Sequence, residues 1–187
     1  MTWTIIVLAV LVVVLWGFWV SWRASRLDRM HNRVEAARTA LDLALVRRWS
    51  AAGDLASSGQ LDPATSMLLA DAVLRARQAD PAERDLAESD LTRALRATLG
   101  DPDFRAELEA GDPQDPDGRE DSAELLSAVE RAAQQLSMAR MFYNDLAGRT
   151  IDDRRRPLSR VLHLAGTARP PEFFDMDDAL VDGDGRG

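Results

Sequence analysis

The first 22 residues of the chain form an uncharged and mostly apolar stretch, and no charged side chain occurs before Arg23. A helix of this length, with a rise of about 1.5 Å per residue, extends about 33 Å and matches the hydrocarbon core of a bilayer. Because such a helix would be apolar on every face, it is typical of a membrane span. Residues 1–22 are therefore predicted to be a transmembrane anchor.

A cleaved signal peptide is the main alternative for this segment. Signal peptides carry basic residues before the apolar stretch and small residues at the cleavage site. Here no basic residue precedes Ile5, and the bulky sequence Trp19-Val-Ser-Trp-Arg23 follows the apolar stretch. The pattern therefore favours an anchor that stays on the protein.

Beyond Arg23 the apolar residues recur every three or four positions, which is the spacing of amphipathic helices. Asp62-Pro63 and Asp80-Pro81 mark two helix starts, because Asp caps the free amides and Pro fits the first turn. Asp101-Pro102 opens a shorter turn. The predicted longer helices cover residues 23–56, 63–79, 81–99 and, until Gly148, a stretch that begins near Leu125.

Two segments outside these helices are acidic and rich in Gly or Pro. The first, residues 110–121, is predicted to be an exposed loop, and the second, residues 167–187, a mostly disordered tail. Residues 23–166 are predicted to be the helical domain that holds the loop. The predicted fold is all-α: an N-terminal transmembrane helix followed by a long antiparallel bundle of three to four main helices.

The charge distribution gives this architecture an orientation. The chain carries a net charge of -8, yet residues 23–48 contain seven Arg against three acidic residues. A basic flank on one side of a span favours the cytoplasm. We therefore expect a single-pass protein of the inner membrane, with its N-terminus outside and its C-terminal domain cytoplasmic. The side chains expected at the membrane interface are Trp3, Trp19, Trp22, Arg23, Arg26, Arg29 and Arg33.

Composition argues against several functions. The chain has no Cys, so thiol chemistry is excluded, and its acidic domain is a poor match for nucleic acid. His31 and His163 stand alone in the sequence, and the acidic loops lack the ligand spacing of a calcium site. We predict no enzymatic activity, no metal and no cofactor, and no small-molecule substrate is evident.

Several motifs together resemble those of the LemA family of bacterial membrane-anchored proteins. The most specific are Arg140-Met-Phe-Tyr143-Asn144-Asp145 and Pro171-Glu172-Phe173-Phe174, preceded by the uncharged span and by Arg47-Arg48 on the first helix. The resemblance covers roughly residues 1 to 176. It implies a long antiparallel helical bundle behind a membrane helix, with no established enzymatic activity.

Two departures from the family pattern concern the junction after the first helix and the acidic loop. The chain has Trp49-Ser-Ala-Ala-Gly-Asp54 where the family usually continues with an Asp-Leu-x-Pro-Asn-Leu type segment. The loop at residues 110–121 resembles an insertion. The packing of the first helix against the second is therefore left open by the resemblance.

Aromatic residues near the end of the last long helix and in the tail have two interpretations. In one, Tyr143 packs by its ring with its hydroxyl on a backbone carbonyl, and Asn144 ties the helix to a neighbour. In the other, a partner helix docks on them. The candidate docking residues are Phe142, Tyr143, Asn144, Phe173 and Phe174.

The function predicted from the sequence is that of a membrane-anchored helical scaffold or interaction protein of the LemA type. Its expected partners are the lipid bilayer and other membrane or envelope proteins, including a second copy of itself. The alternative is an anionic-lipid-binding sensor or remodelling protein, in which the Arg residues between Arg23 and Arg48 contact lipid headgroups.

Overall fold

The computed structural model describes residues 2–110, 116–155 and 170–178, and this part of the chain is helical with no strand. The all-α class predicted from the sequence is therefore confirmed for the described residues. Five helices lie within them: α1 (Thr2–Ser57), α2 (Pro63–Gln78), α3 (Arg84–Leu99), α4 (Pro102–Ala110) and α5 (Pro116–Arg155).

Helix α1 begins in the apolar segment and continues without a break far beyond it. The stretch Thr2–Trp19 is long and apolar enough to cross a membrane, and no part of it is buried against the rest of the chain. A signal sequence near the N-terminus can pass the same test of length and hydropathy. Helix α1 continues past residue 22, the predicted end of the anchor.

Helix α1 ends at Ser57, one residue beyond the predicted end at residue 56. The hydroxyl of Ser58 donates to the Leu55 carbonyl at 2.8 Å, and that of Ser57 donates to the Gly53 carbonyl at 2.9 Å. Gly59 then adopts a φ of 79°, a left-handed conformation that a residue with a Cβ rarely adopts. The chain thereby leaves the helix and turns towards α2.

Helices α2 and α3 begin differently, although Asp-Pro precedes both. The Asp62 carboxylate accepts the amides of Ala64 and Thr65 at 3.0 and 3.1 Å, as predicted for a cap. At the second Asp-Pro the Glu83 amide donates to the Asp80 carbonyl at 2.9 Å, so residues 81–83 form a turn. Helix α3 consequently begins at Arg84, three residues later than predicted.

Helices α4 and α5 occupy part of the predicted acidic loop. Helix α4 reaches Ala110 and α5 begins at Pro116, so at least residues 116–121 are helical, and residues 111–115 lie outside the described part. At its other end α5 continues past Gly148 to Arg155. Glycine costs a helix only about 1 kcal/mol relative to alanine, so a single glycine does not end a well-packed helix.

The chain divides into two compact units, which we describe separately. Unit 1 comprises Met1–Arg38 and Tyr143–Phe173, and unit 2 comprises Thr39–Phe142 and Phe174–Gly187. In unit 1 the buried side chains include Val34, Ala37, Tyr143 and Ala147. Unit 2 holds the main hydrophobic core, whose fully enclosed side chains include Leu55, Leu69, Leu91, Leu95, Leu136 and Val129.

Candidate functional site

Helical periodicity places one charged residue on the core-facing side of each of two helices in unit 2. On α1, Arg48 follows Leu41 and Leu45 in the apolar stripe and is 3% exposed. On α3, Glu88 precedes Leu91 and is 0% exposed. Because burying an unpaired charge is costly, two such residues are expected to meet.

Arg48 and Glu88 form a buried ion pair. The Nη1 atom of Arg48 lies 3.6 Å from Oε2 of Glu88, and its Nη2 atom donates to the Glu88 carbonyl at 3.2 Å. The same Nη2 donates to the Thr92 hydroxyl oxygen at 2.7 Å, and the Trp49 indole donates to Oε1 of Glu88 at 2.6 Å. These bonds tie α1 to α3 through polar groups inside the core.

The surrounding residues satisfy only part of the hydrogen-bonding capacity of Arg48 and Glu88. Within the described part of the chain, neither Nε of Arg48 nor Oε2 of Glu88 has a hydrogen-bond partner. Burial lowers the pKa of Arg48, against the opposing effect of the Glu88 charge. Burial also raises the pKa of Glu88, while Arg48 and the Trp49 hydrogen bond oppose that rise. Both shifts disfavour the charged forms, as desolvation does.

Chemically, this arrangement suits the positioning of helices better than catalysis. A carboxyl group with a raised pKa is a candidate general acid only where a substrate can reach it. The Glu88 side chain is fully enclosed and already accepts a hydrogen bond from Trp49. Its role here is to orient α3 against α1.

The sequence pattern alone does not identify this pair. By that pattern Arg48 belongs with the basic residues near the membrane, and Glu88 has no predicted role. The available signal was position: both residues occupy places in an apolar stripe where a leucine or alanine is expected.

An extended segment, residues 174–178, lies against α3 and α5 in unit 2, and we call it the strap. The Asp175 amide donates to the Asp85 carboxylate at 3.0 Å, and the Asp177 amide donates to the Ser89 hydroxyl at 3.0 Å. The Thr92 hydroxyl donates to the Asp177 carbonyl at 2.5 Å. Side chains of α3 thus bind the main chain of the strap.

Two ion pairs and one apolar side chain complete the attachment of the strap. Nη2 of Arg96 lies 2.9 Å from the Asp177 carboxylate. Arg140 of α5 binds Asp178 through two parallel bonds of 3.0 and 2.9 Å, the geometry that a guanidinium group favours. Met176 is buried to 5% exposure.

The strap differs from the mostly disordered tail predicted for residues 167–187. Two of its acidic side chains, Asp177 and Asp178, pair with Arg residues on α3 and α5. This pairing depends on groups distant in sequence, which composition alone does not reveal. Residues 167–169 and 179–187 lie outside the described part.

In unit 1 the Tyr143 hydroxyl donates to the Glu172 carbonyl at 2.8 Å, and the side chain is buried. Burial raises the pKa of Tyr143, and the charge of Arg38 opposes that rise. The Phe173 ring lies 3.7 Å from the point where a Cβ on Gly148 would stand. The glycine thus leaves room for the ring beside α5.

The five predicted docking residues differ in their exposure. Phe142 and Phe173 are exposed, at 59% and 55%, whereas Tyr143 is buried and occupied by its bond to Glu172. Asn144 and Phe174 are half-buried. Of this set, Phe142 and Phe173 therefore present the most accessible aromatic surface.

The predicted membrane-interface residues are described only in part. Trp3 is 77% exposed and Trp19 is 39% exposed, and Arg33 is also exposed. The side chains of Trp22, Arg23, Arg26 and Arg29 lie outside the described part. Arg48, which was also expected to contact lipid, is instead buried in the core, where it pairs with Glu88.

One open polar cleft occurs in unit 2, with a volume of about 500 Å³. Its lining includes Asp54, Ser57 and Ser58 from the end of α1, and Asp121 and Glu124 from the start of α5. No group of three or more His, Asp or Glu side chains that could hold a metal ion occurs among the residues with described positions.

Comparison with known proteins identifies no relative of the chain. No protein-family model, no curated protein and no solved structure matches the chain.

Proposed function

We propose that the chain is a membrane-anchored helical scaffold or interaction protein of the LemA type. In this proposal Thr2–Trp19 crosses the inner membrane, and the rest forms a long antiparallel helical bundle in the cytoplasm. The observation that carries it is the exposure of this apolar stretch, none of which is covered by the chain. An apolar helix that the protein leaves uncovered requires another apolar environment, which a bilayer supplies.

The orientation in the proposal follows from the basic flank of the span. Arg23, Arg26, Arg29 and Arg33 follow the apolar stretch, whereas residues 1–4 contain no basic side chain. Basic residues beside a span are retained on the cytoplasmic side.

Contacts in unit 2 support the bundle. Arg47 of α1 donates to the Gln135 side chain of α5 at 3.1 Å, and Arg48 of α1 binds Glu88 of α3. Within unit 2, residues of α1 therefore contact both α3 and α5. An antiparallel arrangement accounts for these contacts with short connections.

Exposed apolar side chains on α5 support an interaction role. Met138, Met141 and Phe142 lie within five residues and are 62%, 68% and 59% exposed. Soluble surfaces rarely concentrate large apolar side chains in this way unless a partner covers them. We therefore propose that another membrane or envelope protein contacts α5 at Phe142.

Site-specific crosslinking tests this proposal in native membranes. A photoreactive amino acid replaces Phe142 in the full chain, and a matched variant carries it at Gln134, an exposed polar position on the same helix. The proposal predicts discrete protein adducts in the membrane fraction from position 142 and few from position 134. Equal adducts at both positions, or none at position 142, would contradict it.

The alternative role in sensing anionic lipid has less support. Burial withholds Arg48 from the basic residues on which the lipid-binding role depends. The Arg residues close to the span suffice to attract headgroups, but that attraction also accompanies ordinary anchoring. The scaffold therefore remains the proposed function.

A further inference from the structure

The strap and α3 match in their repeat distances. Asp175 and Asp177, two residues apart on the strap, are bound by Asp85 and Ser89, four residues apart on α3. Two residues of extended chain advance about 6.8 Å, and four residues of helix advance about 6.0 Å. One face of α3 can therefore bind the main-chain amides of alternate residues in an extended peptide that runs parallel to it.

The binding groups also select side chains. We call Asp85, Ser89, Thr92 and Arg96 on α3, together with Arg140 on α5, the strap site. It buries an apolar side chain at Met176, binds the Asp177 carboxylate through Arg96 and binds the Asp178 carboxylate through Arg140. The site thus fits an extended segment with an apolar residue followed by two acidic residues.

None of these contacts requires that the strap belong to the same copy of the chain. Each one joins a strap atom to a side chain of α3 or α5, and the strap has no helix or strand of its own. Every copy carries both the site and a segment that fits it. Exchange of an identical element between copies makes a dimer at low energetic cost, because the same contacts form again.

We infer that the strap site is an exchangeable docking site, which binds the strap of a second copy of this chain when its own strap leaves. Copies joined in this way are linked through the face of α3 and through Arg140 of α5. This gives the scaffold a defined mode of self-association. The inference deepens the proposed function, but it stands on the strap contacts and does not require a membrane.

Charge exchange in the full chain tests the inference. One variant reverses the site (Arg96→Glu with Arg140→Glu), and a second reverses the strap (Asp177→Arg with Asp178→Arg). Each variant alone has like charges facing each other, so its own strap is repelled. When the two variants are mixed, each strap meets a site of opposite charge on the other variant.

The measurement is the capture of one tagged variant by the other in detergent solution, where association does not depend on membrane insertion. The mixed pair is expected to associate about tenfold more strongly than either variant with itself, the difference that two recovered ion pairs supply. A chain with all four reversals should return to the behaviour of the wild type, because its own strap fits again.

A control places one reversal in each chain at a site away from the strap. Asp71 and Arg75 form an exposed pair on α2, so Asp71→Arg in one chain and Arg75→Glu in the other test general charge attraction. Association of the mixed strap pair that does not exceed this control would overturn the inference, provided that both variants keep their helical circular dichroism.

A milder pair of variants serves if the reversals disrupt folding. Since the chain contains no Cys, single cysteines can be placed as Ser89→Cys in one copy and Asp177→Cys in another. Exchange predicts a disulfide between the two copies, because the Asp177 amide lies 3.0 Å from the Ser89 hydroxyl. Absence of this disulfide, while a chain with both cysteines closes internally, would confine the strap to its own copy and refute the inference.

Either result is independent of the proposed location of the protein. A chain that exchanges straps in detergent but is not retained in membranes would refute the scaffold proposal and leave the inference standing. A chain that is anchored but never exchanges straps would refute the inference and leave the scaffold proposal standing.

Discussion

Arg48 and Glu88 are charged residues at positions where the helical pattern calls for apolar ones. Their removal from water is costly, and the 3.6 Å separation of Nη1 and Oε2 leaves two polar atoms without hydrogen bonds in the described part. The pair is therefore not expected to add net stability over a well-packed apolar pair. Its effect is to make one alignment of α1 and α3 more favourable than its alternatives, because misalignment leaves a buried charge unpaired.

Substitution of one partner of this pair should be more harmful than substitution of both. Arg48→Met or Glu88→Gln alone is expected to cost about 3 kcal/mol of unfolding free energy, because the other buried group loses its partner. The double variant should cost less than the sum of the two. Denaturant unfolding of the full chain in detergent, monitored by circular dichroism, measures the unfolding free energies of the two single variants and the double variant.

The exposed pair of Arg93 and Asp90 on α3 is the matched control for this cycle. Its side chains are 64% and 44% exposed, and such pairs contribute at most about 1 kcal/mol. A cycle of Arg93→Met and Asp90→Asn should therefore show little coupling. Strictly additive effects at Arg48 and Glu88 as well would contradict the interpretation of a buried, interdependent pair.

At the residue scale, the sequence predicted what depends on neighbours along the chain. The apolar stripe that contains Leu41 and Leu45 is buried as the spacing indicates. The partners of Tyr143, Arg48 and Asp177 lie 29 to 88 residues away, so no local pattern identifies them. The Tyr143 hydroxyl does bind a backbone carbonyl, one of the two arrangements considered from the sequence.

Some helix ends follow from the local sequence alone, whereas others depend on tertiary packing. The Asp62 cap forms as the Asp-Pro pattern predicts, whereas at Asp80 the same pattern starts a turn and α3 begins later. Helix α5 passes through Gly148, since a packed helix tolerates one glycine. Local signals therefore predicted that the helices exist, and tertiary packing determined several of their ends.

The cap of α2 provides a test that depends on pH. Hydrogen bonds from Thr65, first from its side chain and then from its amide, lower the pKa of Asp62 below the ordinary 3.8. A lowered pKa means that the charged cap stabilises the folded state above 3.8 and that this contribution is lost as the pH falls through the folded-state value. Asp62→Ala should therefore lower the melting temperature at pH 7 and have a smaller effect below pH 3.8.

The control for this cap is Asp62→Asn, since an asparagine oxygen accepts the same amides without titrating. This variant should retain most of the melting temperature at pH 7 and show no titration of the cap. A melting temperature of Asp62→Ala that equals that of the wild type at pH 7 would contradict the assignment of Asp62 as the cap.

For the molecule as a whole, the sequence predicted the helical class, the apolar N-terminal helix and the order of the longer helices. The sequence could not predict the strap. An acidic tail is expected to be solvated, and only the structure shows that Arg residues on α3 and α5 pair with it. The chain also divides into two compact units, each built from two segments that are distant in sequence. Units of this kind arise from contacts between distant segments, which composition does not encode.

The central claim is that the uncovered start of α1 lies in a bilayer, with the remainder of the chain on the cytoplasmic side. The most direct test is protease digestion of intact bacterial spheroplasts that express the full chain with a different tag at each end. The account predicts that the N-terminal tag is lost while the C-terminal tag survives until the membrane is opened. Digestion of the C-terminal tag in intact spheroplasts, or release of a shortened soluble chain that has lost the apolar segment, would contradict it.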